Sequence, residues 1–267
     1  MLPSLLSGVP AFLALVAAGY ALGIVGNVGG PLFVLILLTV DHLPTTTAIG
    51  TAMFVSCLIS LFAFVGHWRR KNVVMDYGLI TGFAGAIGCF LGALFAQRVP
   101  VRVLEPLLGV VVLIIPTIGL VRLAKRVRPS PARDVAGPAP MIGTAFFKAA
   151  GGGMGMVVGF FCGAFGLGGA TPIAALSRML LQQPMRFCIG SAYLAALCIS
   201  LVGTAFYAVN GQIELRYAAL LSIGCGLGVY LSTRAVSRIP DRILEALMLT
   251  TMVAMAIFTL FDSWKAL

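Results

Sequence analysis

Long apolar runs alternate with short polar breaks along the whole chain. The runs cover approximately residues 11–40, 46–66, 76–97, 103–121, 142–181, 187–209, 216–233 and 243–261. Several approach or exceed the roughly 20 residues needed to cross the hydrocarbon core of a bilayer. In lipid, every backbone N–H and C=O must be satisfied within the protein, which leaves helices or a closed barrel. Barrel strands alternate polar and apolar over about ten residues, whereas these runs are longer and uniformly apolar. All eight are therefore predicted to be helical. The one long polar stretch, Arg122 to Pro140, holds Lys125, Arg126, Arg128, Arg133 and four prolines. It reads as a linker, 122–141, between a first half, 1–121, and a second half, 142–267.

Two of the runs are interrupted. Gly26-Asn27-Val28-Gly29-Gly30-Pro31 lies inside the first, and Gly166-Leu167-Gly168-Gly169-Ala170-Thr171-Pro172 lies inside the fifth. They stand 140 positions apart, and residue n falls on residue n+140 through the whole half without a gap. Gly23/Gly163, Gly26/Gly166 and Gly29/Gly169 align the interruptions. Pro44/Pro184, Ile49/Ile189 and Gly50/Gly190 follow, then Ser60/Ser200, Tyr77/Tyr217 and Gly88/Gly228. Arg98, Pro100, Arg102 and Leu104-Glu105 fall on Arg238, Pro240, Arg242 and Leu244-Glu245. Shared Leu and Gly arise by chance in apolar sequences, but Arg-x-Pro-x-Arg-x-Leu-Glu in register does not. The expected architecture is an all-α polytopic membrane protein of two homologous halves, with four helical segments each and the first segment of each half broken or re-entrant.

Composition agrees. The chain is 60% hydrophobic and 10% charged, with a mean hydropathy of +1.06, against about 25% charged residues in soluble domains. The net charge of +10 is accounted for by basic residues that collect in cytoplasmic loops of membrane proteins, so no nucleic-acid partner is expected. The stretch before Pro10 holds no Lys or Arg, unlike a cleavable signal peptide. The same cations discriminate between topologies. If each half makes four plain crossings, the 18 Lys and Arg divide 11 to 7 between the two sides. If each broken segment dips in and returns, the halves are inverted relative to each other and the division is 14 to 4. The inverted arrangement is favoured, with both termini outside. A kinked but complete crossing is the alternative.

The paired glycine elements, the Pro and Ile-Gly-Thr/Ser that follow, and the Arg-x-Pro-x-Arg loop resemble the TauE/SafE family over nearly the whole chain. Val28 stands where the family element usually has glycine, Pro31 comes early, and Ala170 replaces a glycine in the second copy. The resemblance implies a multi-pass transporter of the bacterial inner membrane that moves sulfite, a sulfonate or a related organic acid, coupled to a proton or sodium gradient.

The residues themselves point to an anion. A helix broken inside the membrane frees backbone N–H groups, which is tolerated where they line a cavity or meet a ligand. Glycine admits positive φ and close approach to the backbone. Pro31 and Pro172 suit the first turn of a restarting helix, whose amides and dipole then face the gap. The candidate binding residues are Gly26, Asn27, Gly29, Gly30, Pro31, Gly166, Gly168, Gly169, Thr171 and Pro172, with Thr47, Thr51 and Ser191 completing the shell. Gly82, Gly85, Gly88 and Gly92 read instead as helix-packing positions. Arg178 and Arg186 are read either as attracting an anion to the mouth or as orientation charges, and His67 and His42 as interfacial polar residues, with a proton-coupling role as the alternative. The six cysteines show no C-x-x-C and no metal spacing, so no cofactor or metal is expected. A metalloprotease or nucleophile-elbow motif is absent, as is a phosphate-binding loop, so an enzyme is not expected. An intramembrane enzyme and a passive anion channel are the competing readings.

Overall fold

The computed structural model describes residues 9–26, 29–39, 43–99, 145–181 and 184–265. The fourth apolar segment of the first half, 103–121, and the linker 122–141 lie outside the described residues. The described residues form helices α1 (Val9–Val25), α2 (Gly29–Thr39), α3 (Thr45–Arg69), α4 (Met75–Arg98), α5 (Ala145–Phe165), α6 (Ala170–Leu181), α7 (Met185–Val209), α8 (Leu215–Val236) and α9 (Asp241–Lys265). No strand occurs among them. Among the described residues five stretches are long and apolar enough to cross a membrane: Thr45–Arg69, Met75–Arg98, Phe147–Phe165, Met185–Val209 and Leu215–Val236. Large apolar side chains such as Phe83, Ile87, Phe90, Val157, Leu201 and Leu231 point outward from them. That surface suits acyl chains and would be costly in water.

Helices α3 and α7 form the centre. Small residues let their neighbours close on them and on each other. Along the α4/α5 seam, Gly155 lies on the Thr81 backbone, Gly159 on Gly85 and Gly163 on Cys89. Both residue numbers rise together, so α4 and α5 run parallel. The α1/α8 seam is built alike, with Gly19 on Cys225, Gly23 on Val229 and Gly228 on Val16 and Tyr20. Gly78 on Leu194 and Gly82 on Cys198 make α4 parallel to α7, while Gly226 on Phe62 and Gly66 on Thr233 make α8 parallel to α3. Between the two central helices the order reverses. Gly50 meets Tyr207, Met53 meets Gly203, and His67 meets Gly190, so α3 and α7 are antiparallel.

One consequence is that α1, α3 and α8 run one way and α4, α5 and α7 the other. Because α5 and α7 share a direction, the chain must turn back between them, and α6 is the returning limb. Its start at Gly169 lies beside Ala196 and Ile199, the middle of α7. Its end at Arg178 reaches Asp241, which itself accepts a hydrogen bond from the Met185 N–H at the start of α7. The second interruption is therefore a chain reversal. The same reasoning makes α2 the returning limb between α1 and α3. With these directions, Arg69, Arg70, Lys71, Lys148, Arg178, Arg186, Arg234, Arg238 and Arg242 gather at one end of the bundle, and Arg98 and Arg216 at the other.

Contacts between distant turns recur at a spacing of 140. The Val74 N–H donates to Ser191 Oγ at 2.9 Å, and the Glu214 N–H donates to Thr51 Oγ1 at 3.0 Å. Gly190 packs on the Asn72 carbonyl and Gly50 on the Gln212 carbonyl. Each short turn between α3 and α4 or α7 and α8 holds one residue with positive φ, Lys71 at 56° and Gly211 at 67°.

Candidate functional site

The site grows from the two interruptions. Gly26 ends α1 with φ +85°, its N–H on the Gly23 carbonyl at 3.3 Å. Gly166 ends α5 with φ +71°, its N–H on the Cys162 carbonyl at 2.7 Å, and Gly168 and Gly169 follow at +74° and +76°. An L side chain at these angles is strained by about 1–2 kcal/mol, which explains why glycine occupies them. Ala170 N–H closes on the Gly168 carbonyl at 3.0 Å and Ile173 N–H on Gly169 at 3.2 Å, starting α6. Among the described residues, the amides of Leu167, Gly168 and Gly169 find no backbone carbonyl. Pro31 and Pro172 both fall in the first turn of the restarting helix, where proline removes no helical hydrogen bond.

The interruptions touch. Thr171 Oγ1 donates to the Gly26 carbonyl at 2.6 Å. Gly30 sits against the Leu167 carbonyl group, so close that a methyl there would collide with backbone, and the Gly166 oxygen would lie only 2.6 Å from it. Everything from Cys162 to Ala175 is buried, so the second interruption lies in the protein interior and not against lipid. Tyr207 braces it from α7, its hydroxyl donating to the Gly163 carbonyl at 2.8 Å. No local pattern announces that brace, since the two residues are 44 positions apart.

Of the residues expected to bind, Gly26, Gly30, Gly166, Gly168, Gly169, Thr171 and Pro172 come together here. Gly29 and Pro31 belong to the first turn of α2, and Asn27 lies outside the described residues. The Thr51 hydroxyl donates to the Thr47 carbonyl at 2.7 Å and accepts from Glu214 N–H. Thr47 contributes its carbonyl, and Ser191 accepts from Val74; the two hydroxyls at 51 and 191 brace opposing turns.

Arg178 is also tied down. It pairs with Glu245 at 3.3 Å and with Asp241 at 3.8 Å, fastening the end of α6 to the start of α9. Arg186 lies over the Phe187 ring, 5.1 Å from its centroid. His67 departs most from expectation: it is not interfacial but completely buried, under α7. Gly82, Gly85, Gly88 and Gly92 pack α4 against α5 and α7. Among the described residues no three His, Cys, Asp or Glu side chains come together as a metal site.

The described residues thus form an apolar helical bundle, with five helices able to cross a membrane, in which the two interruptions touch. The profile described as "Sulfite exporter TauE/SafE" matches residues 11–259, and the chain belongs to that family. It is similar to the "Probable membrane transporter protein YdhB" of Bacillus subtilis (strain 168), with 26% identity over 244 residues, 91% of this chain and 96% of that protein. No solved structure matches it.

Proposed function

We propose that the protein is a secondary transporter of a small anion, sulfite, a sulfonate or a related organic acid, in the cell (inner) membrane. The anion binds where the two interruptions meet, held by the amides of Leu167, Gly168 and Gly169 and the positive end of α6, with α2 contributing its own first turn. The observation that carries this reading is the direct, buried contact of the interruptions through Thr171, Gly26 and Gly30. Backbone this irregular is tolerated at membrane depth only where protein or a cavity covers it, and helix N-termini are the backbone's own anion receptors.

The halves are inverted repeats. The antiparallel course of α3 and α7, 140 residues apart, and the recurrence of the Val74–Ser191 bond as Glu214–Thr51 support this, because a two-fold axis in the membrane plane requires both. The cation-rich end of the bundle then faces the cytoplasm. Rocking of one half against the other opens the shared site to each side in turn, driven by a proton or sodium gradient.

Radiolabelled sulfite flux into proteoliposomes tests this. Saturable uptake that responds to an ion gradient is expected, and Gly169→Val should abolish it while the protein still purifies as a folded species. Ohmic, non-saturating flux would mean a channel instead, and undiminished flux in the variant would remove the glycines from the site.

A further inference from the structure

Helices α3 and α7 meet along a seam that should be dry and apolar but carries polar atoms without protein partners. On α3 these are Ser56 Oγ, Ser60 Oγ and both ring nitrogens of His67; on α7 they are Tyr193 Oη and Thr204 Oγ1. Residues 56, 60 and 67 are spaced by four and seven, and 193 and 204 by eleven, so each set lies on one helix face. His67, Tyr193, Ser56 and Ser60 are completely buried. The imidazole and phenol rings stack, 5.6 Å between centroids and 23° from parallel. A buried donor or acceptor without a partner is destabilising, and one such atom is an accident of packing. Five residues along one antiparallel seam are not.

The position of His67 sharpens the point. Tyr207, 140 residues on, reaches across to the Gly163 carbonyl in the last turn before the second interruption. His67 stands 140 positions earlier, near the end of α3. There the chain carries an imidazole, and its two nitrogens are left open. The charged group acting on the ring, among the described residues, is Arg70, whose guanidinium Nε donates to Thr233 Oγ1 of α8 at 3.3 Å. From α7 the ring faces Tyr193, and no carboxylate pairs with it among the described residues.

We infer that His67 is the proton-binding residue of the transport cycle, taking up one proton from one side of the membrane on a ring nitrogen and releasing it to the other. The seam of hydroxyls from Ser60 and Ser56 to Thr204 supplies its path. An ionisable side chain inside the membrane faces the bundle interior or an aqueous path when it works, and histidine is the side chain whose charge changes near neutral pH. A bound anion and a protonated ring favour each other, which makes the two binding events reciprocal. This inference rests on the transporter reading above.

The test has two arms. The chain contains two histidines, His42 and His67, so a His42→Gln variant labelled with nitrogen-15 histidine reports His67 alone by NMR in lipid nanodiscs. The ring nitrogens should pass from neutral to imidazolium shifts on acidification, with a midpoint that moves when sulfite is added. A ring that stays neutral over the whole range in which the protein is folded, with and without sulfite, overturns the inference. In proteoliposomes, His67→Gln should lower accumulation of radiolabelled sulfite driven by a pH gradient at least about tenfold more than it lowers sulfite exchange without a gradient. Equal loss of both, or an unchanged response to the gradient, overturns it and leaves the transporter reading standing. Failure of the wild-type protein to exchange sulfite at all would instead count against the transporter reading, and the NMR arm would still decide whether His67 binds protons.

Discussion

Glycine does two different jobs in this molecule, and the seams and the interruptions show the contrast. In the α4/α5 seam the glycines have ordinary helical angles; what forbids a side chain is the neighbour's backbone, as where Gly92 lies on the Phe160 carbonyl and 3.0 Å would separate its Cβ from Ala164 N. At Gly166, Gly168 and Gly169 the reason is internal, since φ is +71° to +76°. The first kind of glycine sets how closely two helices approach, and the second sets where the chain turns round. Gly30 mixes the two. It carries no positive φ, yet it meets backbone from the opposite interruption, so the site itself is closed by a seam-type contact.

The largest effect should come from the seam. Gly92→Val puts two methyl groups where the Phe160 carbonyl and Ala164 amide already sit, neither of which is the movable tip of a side chain. Overpacking of this sort costs about 1–3 kcal/mol and more when backbone must move. With the α4/α5 seam forced apart along its length, size-exclusion profiles in mild detergent should show little or no monodisperse protein. A normal profile and unaltered melting would mean the seam is looser than its geometry.

The same contrast explains what could be read in the sequence. Glycines three or four apart with no proline, as from Gly82 to Gly92, announce packing; glycines beside Pro31 and Pro172 announce interruption, and both kinds stand where expected. Helix limits were legible because lipid imposes length and uniform apolarity on each run. The burial of His67 was not. It stands directly before Trp68-Arg69-Arg70-Lys71, so hydropathy alone assigns it to the interface. What covers it is α7, which comes in closely because Gly190 accepts the Asn72 carbonyl and the His67 side chain against its own backbone. The partners of Thr51 and Ser191 were hidden for a related reason: Glu214 and Val74 are 163 and 117 positions away, and no local pattern encodes such a bond. The carboxylates that pair with Arg178 come from α9 and had no local signal either.

A smaller effect is expected where the two kinds of glycine meet. Gly30→Ala adds a single methyl, but against the Leu167 carbonyl group and the Gly166 oxygen, so the interruptions must separate by some tenths of an ångström. The Thr171–Gly26 hydrogen bond at 2.6 Å then stretches or breaks, at about 0.5–1.5 kcal/mol. The protein should fold and melt a few degrees lower, while radiolabelled sulfite flux falls about tenfold, since 1.4 kcal/mol at the site is a factor of ten. Flux lost without any change in melting would point to dynamics of the site; melting lowered with flux intact would place anion binding elsewhere.

The smallest effect belongs to a glycine with neither job. Gly153 lies on the exposed side of α5, and a Cβ there would meet nothing within 4 Å. Its angles are helical, so no strain opposes a side chain. Gly153→Ala should leave sulfite flux unchanged within about twofold and stabilise the fold by up to about 1 kcal/mol, the helical advantage of alanine over glycine. It is the control that separates the two roles from glycine content as such. If Gly153→Ala lowered stability or flux as Gly30→Ala does, then α5 would need glycine along its whole length for flexibility, and close approach and positive φ would no longer explain why Gly30 and Gly169 are glycine.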